Sequence, residues 1–209
     1  MKILLADDHA VLRSGLRLML SGAFKKVEFG EAEDCRQALE AGLAHAWDLI
    51  ILDISMPGRG GLDVLKELHV LRPKIPVLVL SMHAERQFAV RAFRVGAAGY
   101  LTKASAGSEL IKAVERILEG GRYISTMLAE QLASELGNIG TGVMHESLSD
   151  REFEILRMIS SGKTVKEMAD ELCLSANTIS TYRTRILEKM KMRTNAELTH
   201  YAISNKLVE

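Results

Sequence analysis

Five short apolar runs recur along the first half of the chain: Ile3–Ala6, Val27–Phe29, Leu49–Leu52, Val77–Leu80 and Tyr100–Leu101. Between them lie longer stretches whose apolar residues return at helical spacing, among them Val11–Leu20, Leu62–Leu71, Phe88–Val95 and Leu110–Leu118. A run with no polar alternation has no face to offer water, so it belongs in a sheet covered on both sides. Strands alternating with helices supply that cover, and they predict βα units wound into a parallel sheet. Five strands and five helices fit into residues 1–120 as a doubly wound α/β domain.

The pattern then changes. Paired glycines arrive in "EGGRYIS" (119–125), and "GNIGTGVMHES" (137–147) has the glycine and polar content of a linker. Residues 121–145 therefore read as a linker, with a helix between Thr126 and Leu136. After Ser147 no strand pattern remains. Helices are predicted at Asp150–Ser161, Val165–Leu172, Ala176–Lys191 and Asn195–Asn205, with Ser149, Thr164, Ser175 and Thr194 as N-caps. "SDRE" (149–152) is a capping-box pattern. Residues 146–209 thus form an all-α domain of four helices.

Four of the five apolar runs end in chemistry. Asp7 and Asp8 close the first and Asp53 closes the third ("LIILDISMPG"), while Ser81 follows the fourth and Lys103 the fifth. Ligands of open α/β sheets bind outside the carboxyl ends of the strands, which is where these side chains fall. Two like charges a few ångströms apart repel by roughly 1 kcal/mol in water and several-fold more near a protein surface. A hard divalent cation would offset that repulsion, and Mg²⁺ suits a site with few carboxylates and several waters. Ser81 can donate to a phosphoryl oxygen, and Lys103 offers a point positive charge to an anionic one.

In this order and spacing, "ADD", "LDISMPG", "VLVLSMH" and "GAAGYLTK" resemble the motifs of the receiver domain of two-component response regulators. The resemblance implies a flavodoxin-like fold and phosphorylation of Asp53 by a sensor histidine kinase. It implies Mg²⁺ held by Asp8, Asp53 and the backbone carbonyl of Ser55, with Asp7 acting mainly through bound water. Lys103 would contact the acyl phosphate. Ser81 would swing toward the phosphoryl oxygens and Tyr100 would turn inward behind it. Ala104 stands where many receivers carry proline after this lysine, and a cis bond before a non-proline residue would cost about 3 kcal/mol.

The net charge is zero, with 27 basic and 27 acidic residues, so any nucleic-acid surface must be local. One is present: Arg183, Arg185, Lys189, Lys191 and Arg193 stand against Glu188 alone. Stepping 100° per residue through Ala176–Met190 collects Asn177, Ser180, Thr181, Thr184 and Glu188 on one arc. Ile179, Ile186 and Met190 fall opposite, and Arg183 and Arg185 flank the polar arc. The preceding "GKTVKEMADELCLS" reads as a helix and a turn, as in helix-turn-helix units.

From "LSDREFEIL" to "RTNAEL" (148–198) this part resembles the LuxR-type helix-turn-helix domain. Receiver and LuxR-type domain together are the layout of the NarL/FixJ family. The resemblance implies that Ser180, Thr181 and Thr184 face base edges, while Thr178, Arg183, Arg185, Lys163 and Lys166 contact the DNA backbone. It also implies a homodimer on activation, paired through the last helix around Leu198 and Tyr201 on an inverted-repeat site. RNA polymerase stands as a further candidate partner. Tyr182 replaces a histidine common in the family.

No stretch approaches the 18 or so apolar residues of a membrane span. Two well-separated cysteines, Cys35 and Cys173, argue for a reducing compartment, and a cytoplasmic location is expected. None of the six histidines pairs with another at metal-ligand spacing; His9 is read as helping to start the first helix. "PGRGG" (57–61) lacks the lysine of a P-loop. The rival reading is a Mg²⁺-dependent phosphohydrolase with Asp53 as nucleophile. Enzymes of the haloacid-dehalogenase type need a second acid two residues on, and here that residue is Ser55. An RNA-binding or single-strand-binding module would need stacking aromatics, of which the basic run has only Tyr182.

Overall fold

The structure is a computed structural model, and it describes residues 1–56, 60–82, 86–125, 129, 144–205 and 207–208. The chain divides into two compact units, Met1–Ile139 and Gly140–Glu209.

The first unit is a parallel sheet wrapped by helices. Its strands are β1 (Lys2–Ala6), β2 (Glu28–Ala32), β3 (Leu49–Asp53), β4 (Val77–Ser81), β5 (Gly99–Thr102) and β6 (Tyr123–Ile124). Their order across the sheet is β2-β1-β3-β4-β5-β6, all pairs parallel. The helices are α1 (Ala10–Ala23), α2 (Cys35–Ala44), α3 (Gly61–Leu71), α4 (Arg86–Arg94) and α5 (Ala106–Leu118). Every residue of β3 and β4 is buried, as expected for central strands covered on both faces.

Alternate residues of each strand meet different helices. Ile3, Leu5, Leu49, Ile51, Leu78 and Leu80 pack with Leu16 and Leu20 of α1 and Leu110, Val114 and Ile117 of α5. On the other face Ile50 meets Gly42 of α2 and Leu68 of α3. A Cβ on Gly42 would come within 2.6 Å of Leu68 and 3.3 Å of Ile50, so this residue sets how closely α2 approaches the sheet.

Two strands differ from the sequence reading. β2 runs to Ala32 rather than Phe29, because its register against β1 continues from Lys2↔Glu28 to Ala6↔Ala32. It is an edge strand with exposed Glu28 and Glu31, and its Gly30 lies against the Trp47 ring, where a Cβ would sit 2.3 Å from that ring. β6 lengthens the sheet beyond the five expected strands: Tyr123 and Ile124, read as the start of the linker, pair with Gly99 and Tyr100. Except for Ala129, the helix read between Thr126 and Leu136 lies outside the described residues.

The second unit opens with a 3₁₀ turn (Met144–Ser147), followed by α6 (Asp150–Ser160), α7 (Val165–Glu171), α8 (Ala176–Lys189) and α9 (Asn195–Ser204). All four expected N-caps accept a backbone N–H, and Ser149, Thr164 and Thr194 form complete capping boxes with Glu152, Glu167 and Glu197. α6 packs against both α8 and α9, and α7 packs against α8. Phe153, Ile155, Leu156, Ile179, Ile186, Leu198 and Ala202 make the core.

Candidate functional site: an acidic pocket and a polar-faced helix

Parallel strands bring their carboxyl ends to one edge of the sheet. The register places Ala6 beside Leu52, Asp53 beside Leu80, and Ser81 beside Thr102, so the residues that end β1, β3, β4 and β5 share that edge. Asp7, Asp8, His9 and Asp53 offer ligand atoms that all lie within 4.8 Å of one another. Asp53 is fully buried and Asp7 nearly so, whereas the Asp8 side chain is 29 % exposed and opens the pocket to solvent.

The Lys103 ammonium lies 2.6 Å from Asp53 Oδ2 and 2.8 Å from Asp7 Oδ2, with its side chain 7 % exposed. It donates a hydrogen bond to Asp53. Its approach to Asp7 is a charge contact, and Asp7 Oδ2 receives no well-directed hydrogen bond. Asp53 Oδ1 accepts the Ser55 N–H at 2.8 Å, and Asp7 Oδ1 accepts the His9 N–H at 2.8 Å. The like charges that end β1 and β3 are thus partly balanced by the protein's own cation, in addition to any metal. No described peptide bond is cis, so Ala104 follows Lys103 through a trans bond.

Burial pushes the Asp53 carboxyl above the usual aspartate range, and nearby Asp7 adds to the effect; Lys103 and the Ser55 N–H oppose it without cancelling it. For Lys103, burial works to lower the ammonium's pKa, but the two carboxylates outweigh it and hold the group protonated. A more basic carboxylate is a better nucleophile, and here one sits beside a fixed positive charge. That combination suits transfer of an anionic group onto Asp53.

Ser81 and Tyr100 are both buried, Ser81 at the end of β4 and Tyr100 on neighbouring β5, opposite Val79. The Ser81 carbonyl accepts the Lys103 N–H at 2.7 Å, which ties the two strand ends together. Ser55 is exposed in the loop after β3. His9 reads in the sequence as helping to start the first helix, and its place beside the acids is not foreseen there. It is the N-cap of α1 but makes no side-chain cap; its Nδ1 lies 2.7 Å from Asp8 and 3.2 Å from Asp7. The signal was its place directly after "DD", on the turn that leaves the strand.

In the second unit, α8 divides as its periodicity predicts. Ile179, Ile186 and Met190 are buried, while Asn177, Ser180, Thr181, Thr184, Arg185 and Glu188 are exposed. The hydroxyls of Ser180, Thr181 and Thr184 donate to the carbonyls of Ala176, Asn177 and Ser180, four residues back. Their hydrogens are therefore occupied, and what the face presents is oxygen lone pairs and threonine methyls. Asn177, Thr178, Thr181, Tyr182 and Arg185 line a shallow concavity of about 280 Å³. Thr178 belongs to the N-cap, its hydroxyl 2.7 Å from that of Ser175. Cys173 takes the left-handed φ of +51° in the turn between α7 and α8.

Several basic residues are already engaged within the unit. Lys189 lies 2.6 Å from nearly buried Glu152, so it drops out of the basic run. Arg183 Nε donates to Asn195 at 2.6 Å, and Lys163 pairs with Glu171; Lys166 is exposed. Of the two residues expected where two copies pair, Leu198 needs correction: it is fully buried in the core of its own unit. Tyr201 stays partly exposed, with its hydroxyl bonded to His145 at 3.0 Å. On α9 the exposed large apolar side chain is Ile203.

The response regulator receiver domain family matches residues 3–115, and the luxR family of bacterial regulatory proteins matches residues 146–202. The chain is a response regulator of the NarL/FixJ family. Response regulator UvrY of Escherichia coli K12 is 34 % identical over 206 residues, 98 % of this chain and 94 % of its own length. Response regulator GacA of Pseudomonas aeruginosa is 34 % identical over 209 residues, covering 100 % of this chain and 98 % of its own. The RcsB response regulator of Salmonella typhimurium superimposes with a TM-score of 0.61 at 25 % identity, over 98 % of each chain; an RcsB–DNA complex gives 0.60. Membership makes this regulator a phosphorylation-dependent, DNA-binding transcription factor with a kinase partner rather than a classical enzyme, and the phosphohydrolase alternative gains no support. Among the described residues, no helix is long and apolar enough to cross a membrane.

Proposed function

We propose that Asp53 is the phosphoacceptor of this regulator and that its modification raises the affinity of a dimer for operator DNA. The observation that carries the reading is the buried Asp53 carboxylate 2.6 Å from Lys103, on the same sheet edge as Asp7 and Asp8. An Asp53 oxygen forms the bond to phosphorus as the donor's phosphorus–nitrogen bond breaks, and the freed histidine leaves with the kinase. Lys103 then turns from pairing Asp53 and Asp7 to neutralising the acyl phosphate.

The residues present fit a hard divalent cation. Three carboxylates converge, one of them is open to solvent, and Asp7 Oδ2 has capacity to spare. Asp8, Asp53 and the Ser55 carbonyl would hold Mg²⁺, Asp7 through water. Bound there, it would draw off negative charge from the transferring phosphoryl group. Ser81 and Tyr100 are the switch pair: the hydroxyl turns to the phosphoryl oxygens, while the Tyr100 ring, expected to turn inward behind it, already lies buried here.

Functional boundaries fall near residues 120 and 146. Ser180, Thr181 and Thr184 read base edges, while Thr178, Arg183, Arg185, Lys163 and Lys166 meet phosphates. Two copies bind an inverted repeat in the cytoplasm, in reach of RNA polymerase.

The test is chemical. With Mg²⁺ and a small acyl-phosphate donor, the chain should gain one acid-stable, base-labile phosphoryl group, and Asp53→Asn should gain none. Incorporation that persists in that variant would refute the assignment.

A further inference from the structure

Arg13 is a buried charge that the chemistry above does not use. It stands in the first turn of α1, only 5 % exposed, and its guanidinium reaches three other places in the chain. Nη1 donates to the backbone carbonyl of Asp7 at 2.6 Å, Nε to Glu31 at 3.2 Å, and Nη2 to Glu33 at 2.5 Å. Glu31 lies in β2 and Glu33 just beyond it, so one side chain ties α1, the end of β1 and the end of β2 together. A rigid planar fork with five donors can serve three acceptors at once; a lysine ammonium on a flexible stem cannot hold the same geometry.

We propose that Arg13 is a positioning residue for the acidic pocket, setting the backbone from which Asp7 and Asp8 diverge. This inference rests on reading that pocket as the cation and phosphoryl site. The ladder of β1 ends at Ala6, one residue before the pocket begins. The Asp7 N–H still reaches Ala32 at 3.1 Å, and Arg13 takes the Asp7 carbonyl, which is the oxygen of the Asp7–Asp8 peptide. That peptide decides the placement of two side chains. Asp7 points to the buried floor, and Asp8 stands on the solvent rim. A tilt of the peptide would move both carboxylates relative to Asp53, and a hard cation tolerates little such movement.

Geometry and charge make opposite claims about this residue. Two glutamates face one guanidinium, so deleting Arg13 leaves the neighbourhood more negative. On charge alone, a variant without Arg13 should bind a divalent cation more tightly. If Arg13 positions the turn, the same variant should bind it more weakly. Partners that orient metal ligands typically contribute 10–100-fold to affinity.

The experiment is a calorimetric titration of the full chain with Mg²⁺ alone, for the wild type, Arg13→Gln, Arg13→Lys and Glu33→Gln. Urea unfolding followed by Trp47 fluorescence confirms that each variant is folded under the titration conditions. Arg13→Gln should bind Mg²⁺ about tenfold more weakly, and Arg13→Lys should resemble it despite keeping the charge. Glu33→Gln retains the Asp7 contact and should stay near wild type. Unchanged or tighter binding by Arg13→Gln, or full rescue by lysine, would overturn the proposal. Should Arg13→Gln fail to fold, Arg13→Lys decides the matter, because it keeps the charge and loses the fork: it should weaken Mg²⁺ binding, and wild-type affinity refutes positioning. A wild type that binds no Mg²⁺ would instead refute the pocket reading itself, and the role of Arg13 would fall with it.

Discussion

Replacing Lys103 with methionine should destabilise the N-terminal unit by an amount set by pH and by Mg²⁺. The ammonium lies within 3 Å of both Asp53 and Asp7, and all three side chains are almost fully buried. Without it, two carboxylates whose oxygens lie within 4.8 Å face each other with no cation between them. At an effective dielectric near 20 that separation corresponds to roughly 3.5 kcal/mol of repulsion. Breaking a buried pair by removing one partner costs about 3–5 kcal/mol, which agrees.

With a urea slope of about 2 kcal/mol/M, the unfolding midpoint should fall by about 2 M. The loss should shrink in acid. Burial, with Asp7 beside it, holds the folded Asp53 pKa above its unfolded value, and losing Lys103 removes a group that opposes that rise. Stability is then intact at low pH and is lost as pH rises through the folded Asp53 value. Mg²⁺ offers a replacement charge, so 10 mM should recover more stability in the variant than in the wild type. The single tryptophan, Trp47, lies in this unit and reports its unfolding in urea titrations at pH 5 and pH 8. An equal loss at both pH values, with no differential response to Mg²⁺, would show that Lys103 does not hold the acids together.

Asp53→Asn should raise the thermal midpoint at pH 8, because burial holds the folded Asp53 pKa above its unfolded value and the ionised form is a cost. The gain should fade as pH falls toward 4, and a lower midpoint at pH 8 would contradict it. Glu152 behaves oppositely. Burial works to raise its pKa, but Lys189 and the Ser149 N–H and hydroxyl outweigh it and hold it low. Its contribution is present above the ordinary value near 4.5 and is lost as pH falls through the folded value. Glu152→Gln should therefore cost about 2 kcal/mol at pH 7 and little in strong acid, as read by helical circular dichroism of the full chain. On the DNA side, Thr184→Ala should change preference at one or two operator positions by about 1–3 kcal/mol with little effect on salt slope. Arg185→Ala should weaken all sequences alike and reduce the slope by about one, measured by titration at several salt concentrations.

What the sequence revealed depended on how local each signal was. β3 and β4 were legible because their residues are buried on both faces and read as unbroken apolar runs. The ends of β2 were not, since Gly30 and Glu31 look like loop and become strand only through register with β1. β6 is two residues long and has no periodicity to detect. Asp7, Asp8, Asp53 and Lys103 could be brought together in advance because each follows an apolar run, and the parallel topology does the rest. The partners of the charges could not. Lys189 counts as surface basicity until Glu152, 37 residues earlier in the chain, comes beside it. Leu198 reads equally well as an interface or a core residue, and packing of α9 against α6 decides for the core. Arg13 carries no motif signal, and its role emerges only when three distant acceptors converge on it.

The central claim is that chemistry at Asp53 sets affinity at α8. The most direct measurement is the binding of a promoter library by the full chain, with and without an acyl-phosphate donor and Mg²⁺, for the wild type and Asp53→Asn. The wild type should select a subset of inverted-repeat sites and bind them more tightly when the donor is present, whereas Asp53→Asn should show the same affinity in both conditions. A donor-dependent rise of equal size in Asp53→Asn, or no rise in a wild type shown to be phosphorylated, would contradict the account.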